Sequence, residues 1–242
     1  MLGFDSFESW LLATAIVTTG AALQGSAGFG FALLSSPILA FVDPGLVPGP
    51  LIVAVTLLLA LTAWRERSAV DLRGLGWILG GRVPGTALGA LALTRLGERA
   101  LSTALGLLVL LAVAISMRSV RLVRRPPLLL FAGVVSGVMG TTAALGGPAV
   151  AVLYQHERGD LVRSTLATYF LVGAAMSIGA LALIGRLGAR EVVMGLALMP
   201  GILVGFAASR WTSRWLDRGR TRSAVLLVAA IAGLSSVLHG IL

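Results

Sequence analysis

The 242-residue sequence contains no cysteine and no lysine, only two histidines (His156 and His239) and only ten acidic residues. Without cysteine there is no disulfide framework, thiol nucleophile or thiolate metal site. Two histidines do not make a convincing zinc site, so neither a metal nor any other cofactor is expected. Period-two alternation is also missing from the apolar runs, which excludes a membrane β-barrel. All nineteen basic residues are arginine, giving a formal net charge of +9, but nearly all lie between apolar runs. They are expected to face anionic lipid rather than nucleic acid. The first nine residues carry Asp5 and Glu8 and no arginine. That is the wrong polarity for a secretory signal, so the N-terminus is expected to remain in the mature protein.

What the chain has in abundance is apolar surface. Hydrophobic residues make up 57% of it and charged residues 12%, with a mean hydropathy of +0.96. Eight apolar segments lie near 10–41, 44–63, 74–93, 98–116, 128–154, 162–184, 191–209 and 223–241. Runs of about 17 to 25 such residues cross a bilayer as helices. The fold class is therefore all-α, a polytopic membrane protein. The polar connection RSVRLVRRPP at 118–127 divides the chain almost in half.

The halves read as repeats, with 1–116 and 128–242 as two membrane units and 117–127 as a basic cytoplasmic linker. VPGTALGALA (83–92) returns as MPGILVGFAA (199–208), Gly25 and Gly28 match Gly137 and Gly140, and Pro37 matches Pro148. The arginines then indicate how often the two long segments cross. If all eight segments cross once, the arginines divide evenly between the faces. If 10–41 and 128–154 are instead re-entrant hairpins, the loops around 64–73, 117–127, 155–163 and 210–222 share one face. That face holds 14 arginines against 4. Positive loops mark the cytoplasmic side, so the hairpin arrangement is favoured. Each half then has a hairpin plus three spans, which inverts the second half relative to the first. Inverted repeats with broken helices are a recurrent transporter design.

The hairpins carry the clusters GSAGFGFALLSSP (25–37) and SGVMGTTAALGGP (136–148). Glycine costs a helix about 1 kcal/mol relative to alanine. Close helix packing explains part of this glycine content. The other part is expected to open the backbone inside the membrane, with Pro37 and Pro148 in the first turns of new helices and Ser35, Ser36, Gly146 and Gly147 at their caps. Two helix N-termini would then offer N–H groups to an anion. Gly28 and Gly30 would shape the bend, and Ser26, Thr141 and Thr142 would add hydroxyl donors.

Arg82 is the one charge deep within a predicted span, and no acid lies near it in that span. A guanidinium there costs at least about 2.5–3.5 kcal/mol, which an anionic substrate would offset through bidentate contacts. The alternative is an arginine snorkelling to the cytoplasmic interface. His156, beside Glu157, and His239, near the end of the last span, read as interfacial residues.

These paired segments resemble the sulfite exporter TauE/SafE family of bacterial and archaeal membrane proteins. LQGSAGFGFALLSSPILA is similar to its first Gly-rich segment, SGVMGTTAALGGPAVAVLY to its second, and GRVPGTALGA is also shared. Many members have three consecutive glycines in each segment. Here the first reads Gly28-Phe29-Gly30, and TAAL precedes Gly146-Gly147-Pro148 in the second. The resemblance implies transport, as an exporter, of a small anion such as sulfite, a sulfonate or thiosulfate across the cytoplasmic membrane. The partners expected are that anion and lipid, with homo-oligomerisation left open. An anion channel shares these features. An intramembrane serine enzyme using Ser26 and His239, or a structural membrane subunit, fits them less well.

Overall fold

The computed structural model describes residues 4, 6–27, 30–67, 69–117, 123–215, 226–227, 229–231, 233–235 and 237–238. Among them the regular structure is entirely helical. The α-helices are α1 (Phe7–Ala27), α2 (Phe31–Val42), α3 (Gly49–Arg65), α4 (Leu72–Arg95), α5 (Glu98–Met117), α6 (Pro126–Ala143), α7 (Gly147–Tyr154), α8 (Gly159–Leu183) and α9 (Ala189–Trp215). A 3-10 turn, Pro44–Leu46, joins α2 to α3, and the described positions between 226 and 238 are helical too. Three stretches, Pro126–Ala143, Gly159–Leu183 and Ala189–Ser209, are individually long and apolar enough to cross a membrane.

Each long apolar segment is broken at its glycine cluster. At about 1.5 Å per residue, α1 and α6 measure roughly 31 and 27 Å, whereas α2 and α7 measure roughly 18 and 12 Å. The second limbs are too short for a hydrocarbon core of about 30 Å. The first bend ends at Gly30, whose φ of 120° suits a residue without a Cβ, and the Leu34 N–H donates to the Gly30 carbonyl at 3.1 Å. Gly20 lets α2 fold back against α1, since a Cβ there would lie 2.3 Å from Ser35 Oγ. The second bend turns through Ala144 at φ 56°, and the Leu145 N–H returns to the Met139 carbonyl at 3.1 Å.

The start of α2 corrects one expectation. Pro37 lies inside that helix rather than in its first turn, and Ser35 and Ser36 are not caps. The proline ring sets φ to a helical value and removes one hydrogen bond, a loss that helices packed inside a membrane protein tolerate. It therefore does not mark a start, and the glycine with positive φ seven residues earlier does. In the second half the expectation holds, because Gly146 caps α7 and Pro148 sits in its first turn.

Small residues then bring helices into backbone contact. Gly81 and Gly85 of α4 face the Leu130 and Val134 carbonyls of α6, where a Cβ would come within 2.0 and 2.2 Å of oxygen. Gly205 of α9 faces the Thr18 carbonyl of α1, again at 2.2 Å. Each half's first helix is thus packed along the other half's proline-containing helix.

The connections also sort by end. Arg124 pairs with Asp71 at 3.0 Å and with Glu157 at 2.7 Å, and Arg163 pairs with Glu66 at 3.0 Å. This brings the connections around 64–73, 123–125 and 155–163 together. At the other end Arg186 donates to the Leu93 carbonyl at 3.1 Å, and Gly49 packs against Arg186 and Leu187.

Candidate functional site

Arg82 lies near the middle of α4. The same helix exposes Trp77, Val83 and Leu88, while Arg82 is only 3% exposed. The side chain therefore turns inward and does not reach the interface. The backbone contact between α4 and α6 delivers it to Ser136, and a run of residues at four-residue spacing on α8 receives its other side. Arg82 Nη1 donates to Tyr169 Oη at 3.0 Å and to Ser136 Oγ at 3.2 Å, and Nη2 donates to Ser177 Oγ at 3.5 Å. The Tyr169 ring also lies 5.0 Å from the guanidinium carbon. Gly173, between Tyr169 and Ser177 on the same face of α8, makes room for the guanidinium, since a Cβ there would come within 2.3 Å of Cζ.

The hydroxyls are themselves oriented. Tyr169 donates to Ser136 at 2.8 Å, and Ser136 donates to the Gly146 carbonyl at 2.5 Å. The cap of α7 is thereby tied to the arginine. Ser177 also shares a hydrogen bond with Thr141 at 3.0 Å. What is missing is a counter-charge, because Arg82 enters none of the ion pairs among the described residues. Its Nε is buried without a hydrogen-bond partner. Of five guanidinium donors, three are used, leaving Nε–H and the second hydrogen of Nη2. Nε and Nη2 are neighbours on the group, and such a neighbouring pair can grip two oxygens of an oxyanion.

Arg82 opens onto a cavity of about 70 Å³. One water needs about 10–15 Å³ on this kind of measure, so there is room for several waters or one small anion. The wall includes Gly30 and Phe31 from the start of α2, and Gly146, Gly147 and Pro148 from the start of α7. First-turn N–H groups of a helix have no partner within it, so both helix starts present positive potential to the same space as Arg82. Apart from Gln24 and Ser177, the remaining lining is apolar or glycine.

The sequence-derived candidates divide accordingly. Gly30, Arg82, Gly146 and Gly147 meet at the cavity. Thr141 lies one hydroxyl away, through Ser177. Ser26 donates to the Ala22 carbonyl at 2.8 Å and to the Ser209 carbonyl at 3.2 Å. Thr142 donates to the Val138 carbonyl at 2.7 Å. Such bonds to the preceding turn are what a hydroxyl in a membrane helix makes by default, and these two residues are not part of the wall. Ser36 donates to the Ala143 carbonyl, linking the two broken segments, and buried Ser35 packs against Gly20. Gly28 and His239 lie outside the described residues. Sequence reasoning passed over Gln24, Ser136, Tyr169 and Ser177. The available signal was the Tyr169, Gly173, Ser177 stripe, two hydroxyls flanking a glycine on one helix face.

The family model described as Sulfite exporter TauE/SafE matches residues 12–236 of the chain, which includes every residue of the cavity wall. No curated protein and no solved structure matches it.

Proposed function

The chain belongs to the sulfite exporter TauE/SafE family, a family of membrane transporters, and we propose that it exports a small sulfur-containing anion through the cavity at Arg82. The observation that carries this reading is a buried arginine that enters no ion pair among the described residues and lines one small cavity together with two helix starts. In a low-dielectric interior an uncompensated cation is costly, and an oxyanion is the partner whose geometry its free edge fits. The hydroxyls of Ser136, Tyr169 and Ser177 hold the guanidinium plane, so its fork is oriented before the anion arrives. Gly30, Gly146 and Gly147 let the backbone approach closely, while Ser35, Ser36 and Thr141 brace the elements behind the wall. The family is one of membrane transporters, and the cavity is read accordingly as a transport site.

Residues 1–116 and 128–242 would be inverted repeats, joined by the cytoplasmic linker 117–127, with α1–α2 and α6–α7 entering the membrane from opposite faces. Three observations support this. The packing of α1 on α9 corresponds to that of α6 on α4. The second limb of each pair is too short to span. The connection at 155–163 meets those at 64–73 and 123–125, as hairpins require. Single cysteines replacing His156 and Ser119 are expected to be shielded from an external impermeant reagent while one replacing Gly188 reacts. Reaction at His156→Cys with protection at Ser119→Cys would replace the hairpins by single crossings.

The functional test is uptake by proteoliposomes across sulfite, thiosulfate, short sulfonates and carboxylates. Arg82→Ala is expected to abolish saturable anion uptake, and Arg82→Lys, which keeps charge but not the fork, to retain a small part. Full uptake by well-folded Arg82→Ala protein would remove the substrate role.

A further inference from the structure

Gln24 has no role in the fold described above. It lies one turn after Gly20 on α1, on the side that faces α2, and it is 6% exposed. Its side chain lines the cavity with Arg82, yet it makes no hydrogen bond within the described residues. An amide at the cavity wall that bonds to no other part of the protein has its carbonyl and N–H groups available to whatever occupies the cavity.

The other polar groups there differ in kind. Arg82 offers only donors, and the two helix starts offer backbone N–H groups. Ser177 is engaged with Arg82 and Thr141. Among the described wall residues, Gln24 brings the one side-chain carbonyl. The other side chains and the two helix starts would satisfy the oxygens of an anion, and offer no side-chain carbonyl to a hydrogen-bond donor on it.

Resting on the anion-transport reading, we propose that Gln24 is a specificity-determining residue that contacts the substrate, its carbonyl accepting a hydrogen bond from a donor carried by the anion itself. The substrate class is then a small oxyanion with a hydroxyl of its own, either a protonated oxyanion or a hydroxylated short sulfonate. A buried group built to meet a hydroxyl discriminates strongly against the isostere that lacks it, whereas an apolar wall does not.

The test compares proteoliposome uptake of hydroxymethanesulfonate with that of ethanesulfonate, which replaces the hydroxyl by a methyl group. Wild-type protein is expected to favour the hydroxylated anion by about tenfold or more, the scale of one buried hydrogen bond. Gln24→Met, similar in length and without the carbonyl, is expected to lose that preference while still moving ethanesulfonate. Gln24→Glu, with an acceptor but added negative charge, is expected to slow both anions. Wild-type uptake of both anions with an unchanged preference in Gln24→Met overturns the role of Gln24 and leaves Arg82 in place. An equal loss for both anions in Gln24→Met overturns it as well, by showing a merely structural role. Wild-type vesicles that take up neither these two anions nor sulfite, thiosulfate or another short sulfonate would overturn the anion-transport reading itself.

Discussion

Arg82 on α4 and Leu198 on α9 each lie two residues before a proline, Pro84 and Pro200, and each is buried. Both helices pack through glycine on the first helix of the other half. The glycine packing is therefore alike in the two places, but the chemistry is not. Leu198 sits in an apolar cluster with Leu39, Leu46 and Ile202, whereas Arg82 meets three hydroxyls. The charge comes from the first half, and Ser136, Tyr169 and Ser177, which orient it, come from the second. A site built this way exists only when both halves of the chain are assembled around one cavity.

The shared packing is tested by the largest effects. Gly85→Leu and Gly205→Leu both drive a side chain into a backbone carbonyl that cannot yield, and each is expected to cost at least about 3 kcal/mol. Thermal unfolding in detergent should show both losses, while Gly76→Ala, with nothing within 4 Å of the new Cβ, should be neutral or slightly stabilising. A severe loss at Gly85 alone would break the correspondence between the halves.

The unequal chemistry comes next. Leu198→Arg places a second guanidinium in an apolar cluster at the matching position, and is expected to cost about 3 kcal/mol. Arg82→Leu is expected to leave stability unchanged or raise it, because an uncompensated charge is replaced by an apolar side chain of a membrane interior. The contrast in melting temperature between these two variants measures how different the halves are. Tyr169→Phe and Ser136→Ala should each cost about 1 kcal/mol, and less than the sum together, because their hydroxyls bond to each other as well as to Arg82.

The smallest effects separate the two bends. Gly30→Ala strains a positive φ and should cost about 1 kcal/mol, while Ala144→Gly relieves one and should add about 0.5 kcal/mol. Equal and opposite shifts in unfolding free energy would show that the bends are equally rigid.

Much of this was legible in the sequence because the deciding quantities are local. Apolar run length marks a helical membrane protein, the two glycine clusters mark the breaks, and a charge within an apolar run marks Arg82. Gly146 and Gly147 follow from a proline that does begin a helix. Pro37 misled because proline's fixed φ is equally compatible with the seventh position of α2, and only the backbone at Gly30 shows where that helix starts. The hydroxyls around Arg82 were hidden for a different reason. Serine, threonine and tyrosine are ordinary in membrane helices, and whether a hydroxyl bonds to its own preceding turn, as at Ser26 and Thr142, or to a distant arginine, as at Ser136, depends on which helix lies opposite.

Anion-dependent stabilisation addresses Arg82 most directly. A ligand at a hundred times its dissociation constant raises unfolding free energy by about 2.7 kcal/mol. Purified wild-type protein is expected to melt at progressively higher temperature as sulfite, thiosulfate or a short sulfonate is titrated in. Arg82→Met, folded and at least as stable without anion, is expected to show no such rise. An equal rise in Arg82→Met, or none in the wild type with any anion of that panel, would contradict an anion site at Arg82.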